Sequence, residues 1–413
     1  MNISRISCIE CKGRYCNNYQ DCPIYSKTKV FLKSSDILKK TEITGQSPAP
    51  FVGHYGYPHV NVGILAPPEK VKNPELYDAP NTWAKDNYGI PQIVAYRSSL
   101  VNSRFVSSVK DKSGKLLEIS REVAMASRPA DVEIHLQKAP MMRISFDVET
   151  APMGPSARLK SAAITSNPKV SSAVEKAVSD TDWKAQGAVV YLHEKGFDEN
   201  FIMRLFSVGT LGIEQNRKLV PTRWSITATD DILGKDAINQ VKSFSNNLSY
   251  SAYFGNYLGN YYLVLFFPEP WSYELFENYV PSGRWAENVS GKYSTDYENV
   301  NGRKDYAEST AGGYYTVRLA ISEYLASIKR QASCLVLRFI TDEYAVPLGV
   351  WVTREATRKA LQNKPVEFSS KELMLQYASM KIKKQFNFDI SHLLRNSILL
   401  REMKTQAKLS RFL

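Results

Sequence analysis

The chain has 413 residues, 43% of them hydrophobic and 23% charged, with 53 Lys and Arg against 41 Asp and Glu. These proportions supply a large core and exclude a disordered chain, a collagen-like chain and a disulfide mini-protein. The formal charge of +12 is uneven: residues 1–40 hold eight basic and three acidic side chains, giving +5, residues 354–413 hold thirteen and five, giving +8, and the body between is near neutral.

The first forty residues carry the first motif. Cys8, Cys11, Cys16 and Cys22 follow the spacing C-x2-C-x4-C-x5-C, with turn-forming Gly13, Asn17, Asn18 and Asp21 between them. Four thiolates at this spacing can close a tetrahedron, and the metal would supply folding energy that so short a segment lacks. Structural Zn2+ is the expected occupant. An iron–sulfur cluster and a pair of disulfides are the alternatives. The fifth cysteine, Cys334, reads as a buried strand residue with no assigned function.

Residues 41–353 read as one mixed α/β body. Its first part, residues 41–80, is rich in Pro, Gly and Tyr and reads as irregular. It contains His54 and His59, two imidazoles suited to phosphate or metal. Strands are predicted at Arg143–Asp147, Ala188–Leu192, Tyr262–Phe267, Cys334–Ile340 and Leu348–Val352. Helices are predicted at Ser171–Val178, Glu199–Phe206, Tyr314–Arg330, Lys371–Lys383 and Ile390–Thr405. In Tyr314–Arg330, Val317, Ala320, Ile321, Tyr324, Leu325 and Ile328 recur at helical spacing. The mixture of elements predicts an α+β or α/β fold.

Three further stretches of the body combine polar chemistry with turn residues. Asp147 ends a predicted strand and Glu149 follows two residues on, a spacing that in extended chain turns both to one side, as metal bridging needs. The segment resembles the first motif of DEDD-type 3′–5′ exonucleases, though the other acidic members of that motif set lack convincing counterparts. Residues 211–231 hold Glu214, Arg217, Arg223, Trp224 and Asp230, and Arg223 beside Trp224 can clamp and stack a nucleotide. In residues 302–315, Gly312 and Gly313 open the long helix, where an anion can be received. With His54 and His59, the five residues of the 211–231 stretch form a candidate central pocket.

The basic C-terminal region, residues 354–405, offers Lys381, Lys383, Lys384, Arg395 and Arg401 as phosphate contacts. It tapers into a flexible tail, residues 406–413. In a tight 3₁₀-type turn Leu409, Phe412 and Leu413 share one side as an apolar plug, with Gln406 as a polar anchor. This tail resembles the PCNA-interacting motif that docks on the sliding clamp, with Leu413 where many such motifs carry a second aromatic.

Across nearly its full length the sequence resembles the archaeal Nre DNA-repair family, of the NreA type. The cysteine knuckle, the tail QAKLSRFL, and the body segments FVGHYGYPHVNVGILAP, LGIEQNRKLVPTRWSITATDD and GRKDYAESTAGGYY carry the resemblance. It implies DNA damage repair coordinated through PCNA, and it implies no settled catalytic activity. The leading expectation is a clamp-tethered repair protein that contacts DNA through its basic ends and zinc knuckle. Two alternatives stand beside it: a metal-dependent nuclease or nucleotide-processing enzyme using Mg2+ or Mn2+, and a non-catalytic repair scaffold. No run approaches the roughly 18 apolar residues of a membrane span, and no apolar signal core follows the N-terminus, so a cytoplasmic protein without membrane contact is expected.

Overall fold

The structure, a computed structural model, describes residues 40–141, 153–280 and 293–405. The cysteine cluster, the expected strand Arg143–Asp147 with Glu149 beyond it, and the tail from Gln406 lie outside the described residues. The chain forms two compact units. The first runs to Leu233 and takes in Ala345–Gly349; the second comprises Gly234–Tyr344 and the chain from Val350.

The first unit is built on strands β1 (Glu42–Ser47), β2 (Ala49–Val52), β3 (His59–Ala66), β4 (Val101–Ser108), β5 (Ala130–Leu136) and β6 (Ser156–Ile164). They form one sheet in the order β1-β5-β6-β4-β3-β2. β4 and β6 run parallel and every other pair is antiparallel. In β5, Ala130, Val132, Ile134 and Leu136 point inward while Asp131, Glu133 and His135 do not. That period of two gives the sheet one buried face, on which each large apolar side chain contributes roughly 1.5–3 kcal/mol. Three short helices lie between strands: α1 (Pro80–Lys85), α2 (Ile90–Ser98) and α3 (Lys115–Met125). Ile119 and Val123 of α3 join Ile43, Ile64, Val132, Ile134 and Leu159 in the core. Helices α4 (Ser172–Ser179), α5 (Ala185–Glu194) and α6 (Glu199–Ser207) follow, and α7 (Thr222–Val241) continues past Leu233. α6 starts where Asp198 Oδ1 accepts from the amides of Asn200 and Phe201, 2.9 and 2.8 Å away.

Two expectations for this unit are corrected. The segment at 41–80 is not irregular, because β1, β2 and β3 occupy much of it. Its inward residues Ile43, Val52, Val60, Val62 and Ile64 are almost fully buried. The strand expected at Ala188–Leu192 is helix α5. Ala188, Val189 and Leu192 share one helical face and are buried, a spacing that so short an apolar run conceals.

The second unit holds β7 (Tyr250–Tyr257), β8 (Asn260–Phe267), β9 (Ser272–Val280), β10 (Tyr293–Glu298), β11 (Ser333–Thr341) and β12 (Val366–Phe368). Their order is β10-β9-β11-β8-β7-β12, with only the β9–β11 pair parallel. β8 and β11 lie where expected, and seven consecutive residues of β11, including Cys334, are buried. Such a strand needs cover on both faces. Helices α8 (Gly312–Ser327), α9 (Trp351–Gln362), α10 (Lys371–Phe386), α11 (Ser391–Asn396) and α12 (Ile398–Thr405) complete the unit. Met374, Ala378 and Ile382 of α10 pack with Leu393, Leu399 and Leu400 against Leu263, Leu265, Leu335 and Leu337.

Two further expectations change here. The strand expected at Leu348–Val352 does not form: Gly349 has φ +104° and α9 begins at Trp351. The helix expected at Ile390–Thr405 is broken at Ser397. At the break, buried Glu274 of β9 accepts from the Ser397 hydroxyl and from the amides of Ile398 and Leu399, at 2.9 and 3.1 Å for the amides. A carboxylate here satisfies the donors that start α12.

Glu274 makes stability depend on pH. Burial is the largest influence and raises its pKa above the ordinary carboxylate value, against the opposing pull of the bonds from Ser397, Ile398 and Leu399 and of the Arg401 charge. The folded chain therefore holds this proton more tightly than the unfolded chain. The resulting stability is full below the ordinary carboxylate range and is lost as pH rises through the raised folded value. Melting curves from about pH 4 to pH 7 should show this loss in the wild type and not in Glu274→Gln. Parallel pH profiles for the two proteins would contradict it.

Candidate functional site

In the first unit, the loop between β2 and β3 turns through Gly56, Tyr57, Pro58 and His59, with a cis Tyr57–Pro58 peptide. The His59 amide donates to the Gly56 carbonyl at 2.9 Å. Gly56 has φ +83°, and a Cβ there would lie 2.7 Å from the His59 carbonyl oxygen. The turn thus requires glycine. Residues 55–59 are all exposed, while Val52 and Val60 on either side are buried.

Backbone bonds tie this loop to two other segments. The Val109 amide donates to the Pro58 carbonyl, and the Leu219 amide donates to the Val109 carbonyl, both at 2.9 Å. The Val52 amide donates to the Thr222 hydroxyl at the start of α7, also at 2.9 Å. The rings of Tyr57 and Trp224 lie 5.4 Å apart between centroids, and those of His54 and Tyr55 lie 4.0 Å apart, tilted by 35°. Lys110, Lys112, Lys218 and Arg223 are exposed on the joined segments. Arg121 donates to the Lys112 carbonyl at 2.7 Å and pins that turn. Burial, together with the Arg217 charge nearby, lowers the Arg121 pKa, while Glu118 counters. Two carboxylates sit on these segments: Glu214 is exposed, and Asp111 accepts from the Ser107 hydroxyl and the Ser108 amide at 2.8 Å each.

The seven residues of the expected central pocket thus take different places. His54, His59, Arg223 and Trp224 belong to the loop and to the start of α7, at the surface. Arg217 instead holds backbone together: its guanidinium donates to the carbonyls of Gly212, Val178 and Asp180 at 2.6, 2.9 and 2.6 Å. Glu214 opens a single turn, and its amide donates to the Thr181 carbonyl at 2.8 Å. Asp230 is buried within α7. Tyr55, Tyr57, Lys110, Lys112 and Lys218 carry the surface and were not singled out by sequence. Only the aromatic content of the 51–63 segment pointed toward the first two.

In the second unit, Arg303, Thr310 and Tyr314 of residues 302–315 join a largely buried polar assembly with Asp296, Glu298 and Arg318. Asp296 accepts from the Thr310 amide and hydroxyl at 2.7 and 2.8 Å and pairs with Arg303 at 3.1 Å. Glu298 pairs with Arg318 at 2.9 Å and accepts from the Trp271 indole at 3.0 Å, all three residues being almost fully buried. Burial first, and then the Glu298 charge, hold the Tyr314 hydroxyl well above the usual phenol range, so it stays neutral at physiological pH. At the Gly312-Gly313 helix start a carboxylate of the protein itself lies close to Gly313. Glu277 Oε1 lies 2.6 Å from where a Gly313 Cβ would sit, and this carboxylate also pairs with Arg338.

Of the expected phosphate contacts, Lys384, Arg395 and Arg401 are exposed. Lys381 Nζ lies 4.4 Å over the Phe254 ring, and Lys383 donates to the Asn387 carbonyl at 3.4 Å. Among the described residues no three His, Cys, Asp or Glu side chains gather as metal ligands. No described helix is long and apolar enough to cross a membrane.

Comparison with known proteins gives the family. The family model for the archaeal Nre N-terminal region matches residues 16–286, and that for the C-terminal region matches residues 298–412. The chain belongs to the archaeal Nre family. Among its Nre relatives is DNA repair protein NreB of Archaeoglobus fulgidus, 35% identical over 397 residues, covering 96% of this chain and 97% of the relative. DNA repair protein NreA of Haloferax volcanii is 39% identical over 325 residues, 77% of each chain. DNA repair protein NreA of Archaeoglobus fulgidus is 35% identical over 380 residues, 91% of this chain and 94% of the relative. No solved structure shows significant similarity to this Nre chain.

Proposed function

We propose that this chain is a DNA-repair protein, held at the sliding clamp PCNA by Gln406, Leu409, Phe412 and Leu413 and contacting DNA through its basic ends. The observation that carries the repair role is its similarity, over nearly all of both chains, to a relative named DNA repair protein NreB. The tail supports the clamp partner, because its apolar plug follows a region carrying +6, eleven basic against five acidic residues in 354–405. Tethering raises the local concentration at DNA already encircled by the clamp, so weak contacts suffice. Lys384, Arg395 and Arg401 supply phosphate contacts, with Lys381 and Lys383 beside them. Cys8, Cys11, Cys16 and Cys22 hold a structural Zn2+ that orders the first basic end.

The test is calorimetry of the full chain against the clamp. Phe412→Ala with Leu413→Ala should weaken binding by about 2 kcal/mol or more, roughly thirtyfold. Unchanged affinity would reject the clamp motif. Metal analysis of the same preparation should return about one zinc per chain. Iron in its place, or no metal, would reject the zinc assignment.

A further inference from the structure

We propose that the Tyr55–Tyr57–Trp224 surface is a binding platform for single-stranded nucleic acid. This site is separate from the basic ends and rests on the nucleic-acid role proposed above. Three aromatic side chains stand 72%, 49% and 46% exposed on segments whose flanking apolar residues are fully buried. An isolated exposed apolar side chain is ordinary on a protein surface; a grouped set with cations interleaved marks an interaction surface. Here the grouping is fixed by the backbone. The Pro58–Val109 and Val109–Leu219 hydrogen bonds bring residues far apart in sequence to one place.

The chemistry of the grouping selects the occupant. Flat rings in solvent offer stacking faces to unpaired bases, and lysines and arginines beside them meet the phosphates between those bases. Lys110, Lys112, Lys218 and Arg223 supply those cations. Of the nearby carboxylates, Asp111 is turned to its own strand end by bonds from Ser107 and Ser108. Duplex DNA keeps its bases stacked inside, so it gains from the cations and not from the rings. Stacking does not distinguish DNA from RNA, and the test separates them.

The full-length chain is titrated into fluorescein-labelled oligothymidylate, oligouridylate and duplex DNA, each about twenty units long, and anisotropy is read. Tyr57→Ala with Trp224→Ala should weaken single-strand binding by about tenfold or more, with duplex binding little changed. Trp224→Phe should stay near wild type, because it keeps a stacking face. Quenching of tryptophan emission on adding oligothymidylate should be reduced in Trp224→Phe, which reads the contact without a large truncation. Lys110→Gln with Lys218→Gln should flatten the salt dependence. The stronger of the two single-strand responses identifies DNA or RNA as the natural class. Equal single-strand binding by the wild type and the double alanine variant overturns the platform while leaving DNA contact through the basic ends intact. Wild-type binding to duplex alone does the same. Failure of the wild type to bind any of the three probes overturns both.

Discussion

Glu298→Ala should cost about 3–5 kcal/mol of folding stability, measured by chemical denaturation of the full chain. The size follows from what remains behind. Arg318 is 1% exposed, and in the native chain its guanidinium meets the Glu298 carboxylate at 2.9 Å. Removing the carboxylate leaves that charge buried and deprives the Trp271 indole of its acceptor. A double variant, Glu298→Leu with Arg318→Met, removes both charges and keeps most of the volume. It should recover most of the loss, because desolvating an ion pair offsets much of its attraction. A single variant that loses less than about 1 kcal/mol would show that the pair is not what holds this region.

Gly259→Ala should cost about 2–4 kcal/mol through a different cause. Leu258 and Gly259 form the two-residue turn between β7 and β8, with φ of +51° and +74°. The left-handed conformation penalises any side chain, by roughly 1–2 kcal/mol. A Cβ on Gly259 would also strike the Tyr344 amide nitrogen and come within 2.8 Å of the Glu343 carbonyl carbon. That backbone is not free to retreat, since the Thr341 amide donates to the Gly259 carbonyl and the Tyr344 amide to the Thr341 carbonyl, both at 3.0 Å. The thermal midpoint of Gly259→Ala should drop by several degrees. An unchanged midpoint would mean that the turn relaxes.

Much of the second unit was legible in the sequence. β8 and β11 are long apolar runs because they are covered on both faces, and α8 shows its helical spacing even though its surroundings bury it nearly all round. The first unit was less legible. Its strands β1 to β3 are interrupted by Pro48, Gly53, Gly56 and Pro58, and turn residues obscured their alternation. The Ala188–Leu192 run was too short for apolar content alone to separate a strand from a helix face.

The candidate surface divides in the same way. Arg223 and Trp224 are sequence neighbours and could be paired by inspection. Lys110 and Lys112 reach them through Val109, whose partners Pro58 and Leu219 no local pattern announces. Arg217 looked like part of a site because arginine among turn residues suits a ligand, yet its donors go to three backbone carbonyls. At the start of α8, Gly313 leaves room for the carboxylate of Glu277, a residue of β9.

The strand order of the second unit has a consequence for synthesis. β8 and β9 follow one another in the chain but are not neighbours in the sheet, since β11 lies between them. β11 begins at Ser333, after the whole of residues 281–332 has been made. Until then β8 and β9 each present an open edge, and their apolar faces lack the central strand. A chain stalled before Ser333 therefore exposes two unpaired edges to its neighbours, the condition under which strands associate wrongly. Emergence of the segment Ser333–Thr341 is the step that places the central strand, so about the last fifth of translation decides whether the earlier strands are used or lost.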